Sequence, residues 1–313
     1  IPEEAVLNGL KMMRDLVHEW QPHPTFFELV TVLGLWWFHQ TGVEALILET
    51  GMGGRLDATN VVIPTVTALT PVAMDHQAYL GNTLGEIALE KAGILKRGVP
   101  AVSAPQSPEV CRVFSDSAYR MSAGLKWVTE PWSKGPLALR GEAQRWNAAL
   151  VEAVLRALPC SFTETAIAEG LRKTRWPGRF DRVQENLVLD GAHNPHAIEH
   201  LVSCWRSEFG DRRAHIFFGA ASDKEVRTML EKLGAIVERL TLVSIQGKRA
   251  IPMKKLHEMA LQILPGVPME TGGSLTEIFS QRSGEMQLIT GSLFLVGEAL
   301  AILRGMPRES SLQ

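Results

Sequence analysis

Short, largely apolar runs separated by helical patterns set the limits on what this chain can fold into. Such runs fall at 43–48, 66–69, 99–103 and 125–128 in the first half and at 187–189, 215–218, 240–244 and 286–289 in the second. They are too short for helices and mostly apolar, with single polar residues such as Glu44, Lys126 and Gln287, so they read as strands, most of them buried on both faces. That is the pattern of a parallel sheet covered by helices. A helical stretch at 84–95 lies between the runs at 66–69 and 99–103, and strand, helix, strand at this spacing is a right-handed crossover unit. Helical patterns also cover 3–19, 107–123 and 142–157. Thr25 is placed to cap a helix reaching about His39, with Glu28 at the capping-box position. That helix is apolar almost all round (Phe26, Phe27, Leu33, Trp36, Trp37) and is expected to be buried against a sheet. The fold class is α/β in two domains, 1–175 and 176–313, divided where Pro177 and Gly178 break a helical pattern.

The 313 residues are 45% hydrophobic and 21% charged with a net charge of −2, which removes the global positive field of a nucleic-acid or anionic-membrane binder. Cys111, Cys160 and Cys204 are scattered and odd in number, which is neither a disulfide framework nor a zinc site. No apolar run reaches the ~18 residues of a membrane span, and no signal-peptide pattern opens the chain, so a cytoplasmic location is expected. The chain starts at Ile1, as a processed or truncated N-terminus would.

Four segments carry candidate chemistry. In Glu49-Thr50-Gly51-Met52-Gly53-Gly54-Arg55-Leu56-Asp57-Ala58-Thr59-Asn60, a carboxylate ends a strand, where α/β sheets bind ligands, and glycines let the backbone pass close to one. Glu49 suits a magnesium that is shared with nucleotide phosphates, and this reading is favoured over a tight loop whose Glu caps a helix. Asp75-His76 follows the next strand; alone it reads as a surface hydrogen bond, although a neutral imidazole can ligate a metal. Lys91, among Ala88, Leu89, Ala92 and Ile94, is either partly buried with a depressed pKa or a lysine reaching out to solvent, and by itself the second reading is preferred. Asn147, Arg179, Asp190 and His193 form the fourth group. Asp190 at a strand's end suits a ribose hydroxyl, His193 phosphate oxygens and Arg179 transferring phosphoryl charge, each against a plain structural alternative: a turn Asp, a helix-start His, a surface Arg.

Taken together and in order, these segments resemble the folylpolyglutamate synthase and dihydrofolate synthase family, relatives of the Mur ligases. The resemblance rests on 49–60, on Asp75-His76 through Leu80-Gly81, Thr83, Ile87-Ala88, Glu90 to Ile94 and Lys96, and on Pro177-Gly178-Arg179-Phe180, 190–195, Asp223-Lys224 and Thr290-Gly291-Ser292. It reverses the plain readings just given. It implies a Mur-ligase-like ATPase domain, a parallel sheet flanked by helices, followed by a smaller Rossmann-like α/β domain. It implies Glu49 and His76 as magnesium ligands and Lys91 as a lysine carbamylated to help hold a second magnesium. Asn147 and Asp190 then contact the adenosine part of ATP, while Arg179 and His193 contact its phosphates. The implied catalytic residues are Lys91, Arg179 and His193. The implied reaction activates a carboxylate with the ATP γ-phosphate and couples it to the amino group of L-glutamate, with dihydropteroate or tetrahydrofolate as acceptor, in a monomer that uses neither nucleic acid nor membrane.

Two departures from the family pattern stand out. The family's Gly-x-x-x-x-Gly-Lys-Ser phosphate loop is absent: the single Gly-Lys pair, Gly247-Lys248, has Leu242 at the first glycine position and is followed by Arg249. The expectation is that the chain begins after that loop and after the first strand of the ATPase sheet. Loss of that strand exposes edges and apolar helix faces, so the chain alone is expected to be poorly soluble or inactive. Ala143 stands where the family usually has His, and the stretch 104–140 is short. A non-catalytic nucleotide-binding relative and another Mur-type ligase are the alternatives, and the Gly-Gly-Arg-Leu-Asp-Ala-Thr-Asn stretch favours the folate branch over the latter.

Overall fold

The computed structural model describes residues 1–245, 250–272, 275 and 284–306, so the Gly247-Lys248-Arg249 segment lies outside the described residues. The chain divides into two compact units, one of residues 1–129 and 153–160, the other of 130–152 and 161–313.

The first unit runs α1 (Glu3–Val17), α2 (Phe26–Thr41), a 3₁₀ turn (Ala58–Val61), β1 (Thr67–Leu69), α3 (Gln77–Leu80), α4 (Leu84–Ala92), β2 (Ala101–Ser103), α5 (Pro108–Arg120) and β3 (Leu125–Trp127). The strands form a parallel sheet in the order β1-β2-β3, with Thr67 opposite Ala101 and Ala101 opposite Leu125. The crossover expected between 66–69 and 99–103 is present, with α4 as its helix. Apolar side chains from α4, α5 and the strands, among them Leu69, Ala88, Leu95, Val110 and Phe114, make the core. The capping box at Thr25 and Glu28 forms as expected, and Thr83 with Glu86 repeats it at the start of α4.

Two expectations fail in this unit. Residues 43–48 form no strand, and Val43, Leu46 and Ile47 are exposed, Ile47 at 97%. A strand is defined by the neighbour that takes up its backbone N–H and C=O groups, and among the described residues none pairs with this run. For the same reason α2 is not buried against a sheet. Its Leu33 packs near Gly9 of α1, but Phe26, Phe27, Val30 and Val32 face outward.

The second unit holds the start of α6 (Glu142–Ala157), then α7 (Glu164–Lys173), β4 (Asp181–Gln184), β5 (Leu187–Leu189), α8 (Pro195–Phe209), β6 (Ala214–Phe218), α9 (Val226–Leu233), β7 (Val237–Leu242), α10 (Met253–Ile263), β8 (Met269–Thr271), β9 (Gln287–Thr290) and α11 (Leu293–Leu303). Its sheet order is β4-β5-β9-β6-β7-β8, parallel throughout except where β4 runs antiparallel to β5. Strands β5 and β9 are buried along their whole length, β5 as a continuous apolar run and β9 with the polar Gln287 and Thr290 at its ends. Trp205 of α8 is fully buried against the sheet and donates its indole N–H to the Arg212 carbonyl at 2.7 Å.

Candidate active site

In the first unit, the glycine-rich segment 51–60 is clamped onto the C-terminal end of α4. The Arg55 backbone N–H donates to the Glu90 carbonyl at 2.8 Å, and the Arg55 guanidinium donates to Glu90 Oε1 at 3.1 and 2.9 Å. Asn60 Nδ2 donates to the Gly93 carbonyl at 3.0 Å, and Lys96 Nζ to the Asn60 carbonyl at 2.7 Å. The glycines are needed for this approach: a Cβ on Gly54 would stand 2.8 Å from the Glu90 carbonyl oxygen, and one on Gly93 2.4 Å from Arg55 Cα. Asp57 braces the loop from within, accepting from Met52 N at 2.8 Å, Thr59 N at 3.0 Å and the Thr59 hydroxyl at 2.6 Å. Two segments far apart in sequence, 49–60 and 90–96, are thus one structural piece.

Lys91 sits half-buried in the last turn of α4. Burial pushes its ammonium below the usual lysine range, while the nearby Asp75 carboxylate opposes that shift. The structure therefore brings Lys91 and Asp75 together. His76, next in sequence, takes a left-handed backbone with φ of 51° at the start of α3, and its N–H donates to Asp75 Oδ1 at 2.9 Å. Glu49 and His76 are both exposed, and among the described residues neither side chain has a hydrogen-bond or ion-pair partner. A carboxylate and an imidazole left free in this way suit a magnesium that takes its remaining ligands from phosphate and water. Among the described residues no group of three or more His, Cys, Asp or Glu gathers into a metal cage.

In the second unit, Asp190 joins two turns. Its Oδ2 accepts from Phe180 N and its Oδ1 from Ala192 N, each at 2.8 Å. Gly191 N donates to the Gly178 carbonyl at 2.8 Å, and Gly178, with φ of 74°, makes the turn that brings Arg179 to the end of β5. Burial raises the Asp190 carboxyl above the usual carboxylate range. The two backbone donors and the charges of Arg179 and His193 pull the other way. His193 Nδ1 lies 2.9 Å from the Gly191 carbonyl. A carbonyl only accepts, so Nδ1 carries the proton and Nε2 is left as the outward nitrogen. Arg179, Asp190 and His193 are brought together; Asn147, on α6, donates to Gln144 Oε1 at 3.1 Å.

Sequence reasoning missed three features here. The Arg55–Glu90 pair joins two motifs that read as separate. The Asp75–Lys91 neighbourhood had no signal beyond a carboxylate following a strand. The bridging of Phe180 and Ala192 by Asp190 depends on the positive φ of 43° at Phe180, which its residue type does not announce.

A profile of the Mur ligase glutamate ligase domain matches residues 178–293. The chain is 32% identical to the dihydrofolate synthase/folylpolyglutamate synthase of Bacillus subtilis, over 95% of this chain and 80% of that protein. It is 30% identical to the folylpolyglutamate synthase of Lacticaseibacillus casei, over 97% of this chain and 78% of that protein. Among solved structures, folylpolyglutamate synthase from Thermotoga maritima matches with a TM-score of 0.85 at 30% identity, over 99% of this chain and 78% of that one. Escherichia coli FolC in complex with DHPP and ADP matches at 0.86 with 28% identity, over 97% and 77%. Among the described residues no helix is long and apolar enough to cross a membrane. Identity at this level along nearly the whole chain, on the same fold, shows that the chain belongs to the dihydrofolate synthase/folylpolyglutamate synthase family.

Proposed function

We propose that this chain is an ATP-dependent acid–amino-acid ligase that joins L-glutamate to dihydropteroate, to reduced folates such as tetrahydrofolate, or to both. The acceptor carboxylate attacks the ATP γ-phosphorus and ADP leaves. The glutamate amine then attacks the acyl carbon, phosphate departs and the amine gives up a proton. Such a reaction asks for positioning and charge stabilisation more than covalent help from the protein. The observation that carries the reading is the convergence of Arg179, Asp190 and His193 at the end of β5, in a chain whose relatives bear these synthase names.

In this reading Arg179 and the outward Nε2 of His193 hold phosphate oxygens. Asp190 uses the second lone pairs of its oxygens, left after the backbone bonds, for a ribose hydroxyl, and Asn147 lies against the adenosine part. Glu49 and His76 hold magnesium, which when bound neutralises charge on the phosphates. Burial lowers the Lys91 pKa and so favours the neutral amine, the form able to add carbon dioxide, with an N–C bond formed and a proton released. The resulting carbamate would offer oxygens to hold a second magnesium. Domains at 1–175 and 176–313, a monomeric state and a cytoplasmic location belong to the same proposal.

Titration calorimetry with a non-hydrolysable ATP analogue tests it. Magnesium should strengthen binding, Glu49→Ala and His76→Ala should remove the magnesium increment, and Arg179→Ala and His193→Ala should weaken binding by about tenfold or more. Binding that is indifferent to magnesium would sink the assignment. Formation of a glutamyl product from a pterin acceptor distinguishes a ligase from a non-catalytic nucleotide binder.

A further inference from the structure

Outside the site just described, α8 presents two histidines one turn apart, His196 and His200, on an exposed face. Their Nε2 atoms are 3.2 Å apart and their ring planes stand at 90° with centroids 4.4 Å apart. Residues four apart on a helix share a face, so the pairing follows from the helix itself. A zinc–imidazole bond is about 2.0–2.1 Å. Two such bonds subtending roughly 100° place their nitrogens about 3.2 Å apart, which is the separation found here. Glu199, between the two rings in sequence, pairs with Lys232 of α9 at 2.7 Å, and its ionised carboxylate adds negative charge beside both rings. Burial and the neighbouring His196 hold His200 below the usual histidine range, which keeps its lone pair available at neutral pH.

We propose that His196 and His200 form a chelating site for a divalent transition-metal ion of the zinc, nickel or copper class, with water completing the coordination. The site is separate from the magnesium reading. Its donors are imidazole nitrogens, which suit late transition metals, whereas magnesium prefers oxygen. A bound ion ties the first two turns of α8 together, and those turns follow directly on His193. Binding to the folded chain therefore also raises the thermal midpoint.

The test is calorimetric titration of the full chain with Ni2+ alone, repeated in a large excess of Mg2+, with the variants His196→Gln and His200→Gln. Both positions are exposed, so circular dichroism should show the fold retained. The expected result is one nickel site, unaffected by Mg2+, weakened at least about tenfold by either substitution, and a Ni2+-dependent rise in Tm in the wild type that both variants lose. Nickel affinity equal in the wild type and the two variants, or a site that Mg2+ displaces, would overturn the proposal.

Discussion

The run at 43–48 and strand β5 are much alike as sequence, short and aliphatic, yet one lies exposed with no ladder and the other is wholly buried between two strands. The contrast teaches that an apolar run specifies a capacity for burial, while pairing is conferred by the strands on either side. Strand β5 has β4 on one edge and β9 on the other. The earlier run has no such neighbour among the described residues, and the outward face of α2 goes uncovered in the same unit.

Substitution at opposite ends of this contrast should give opposite results. Trp205→Ala removes a fully buried indole and its hydrogen bond, and is expected to cost about 3–5 kcal/mol in urea unfolding followed by circular dichroism. A loss below about 1 kcal/mol would mean that the second unit is far less tightly packed than its burial implies.

Lys91 lies between the extremes, neither free nor deeply buried. Its pKa in the folded chain is depressed by burial below the unfolded value of 10.5. Below the depressed value both states hold the proton and the penalty of burying the charge is present in full. Between the two values the unfolded chain holds more protons, so stability rises with pH. The urea midpoint of the wild type should therefore climb relative to Lys91→Met as pH is raised from neutrality toward 10.5. Parallel curves would show that the ammonium is in effect solvated.

Ile47→Ser should have the smallest effect, within about 0.5 kcal/mol, because its side chain is already in water. A larger loss in the same urea assay would show that something covers this run in solution and would collapse the contrast with β5.

These differences also explain what could be read from the sequence. Caps and crossovers are local, so Thr25 with Glu28 and the helix between β1 and β2 were legible. Buried parallel strands such as β5 were legible because every residue in them is apolar. Strand β4, with Asp181, Arg182 and Gln184, and strand β8, with Glu270 and Thr271, are sheet edges whose polar side chains hide them from a search for apolar runs. Of the candidate site, the sequence offered carboxylates, glycines and a histidine at the ends of strands, but not the bridging of Phe180 and Ala192 by Asp190. The Asp75–Lys91 and Arg55–Glu90 neighbourhoods were not legible, because each depends on how α4 meets a loop outside the helix, in the second case one thirty-five residues away.

A single carboxylate, Asp190, pins Phe180 with one oxygen and Ala192 with the other. Each pinned residue adjoins one of the two groups assigned to phosphate, Arg179 before Phe180 and His193 after Ala192. In the proposed reading, an anion drawing on the arginine would load the histidine through that one side chain, the two joined like the jaws of a pair of tongs sharing one rivet.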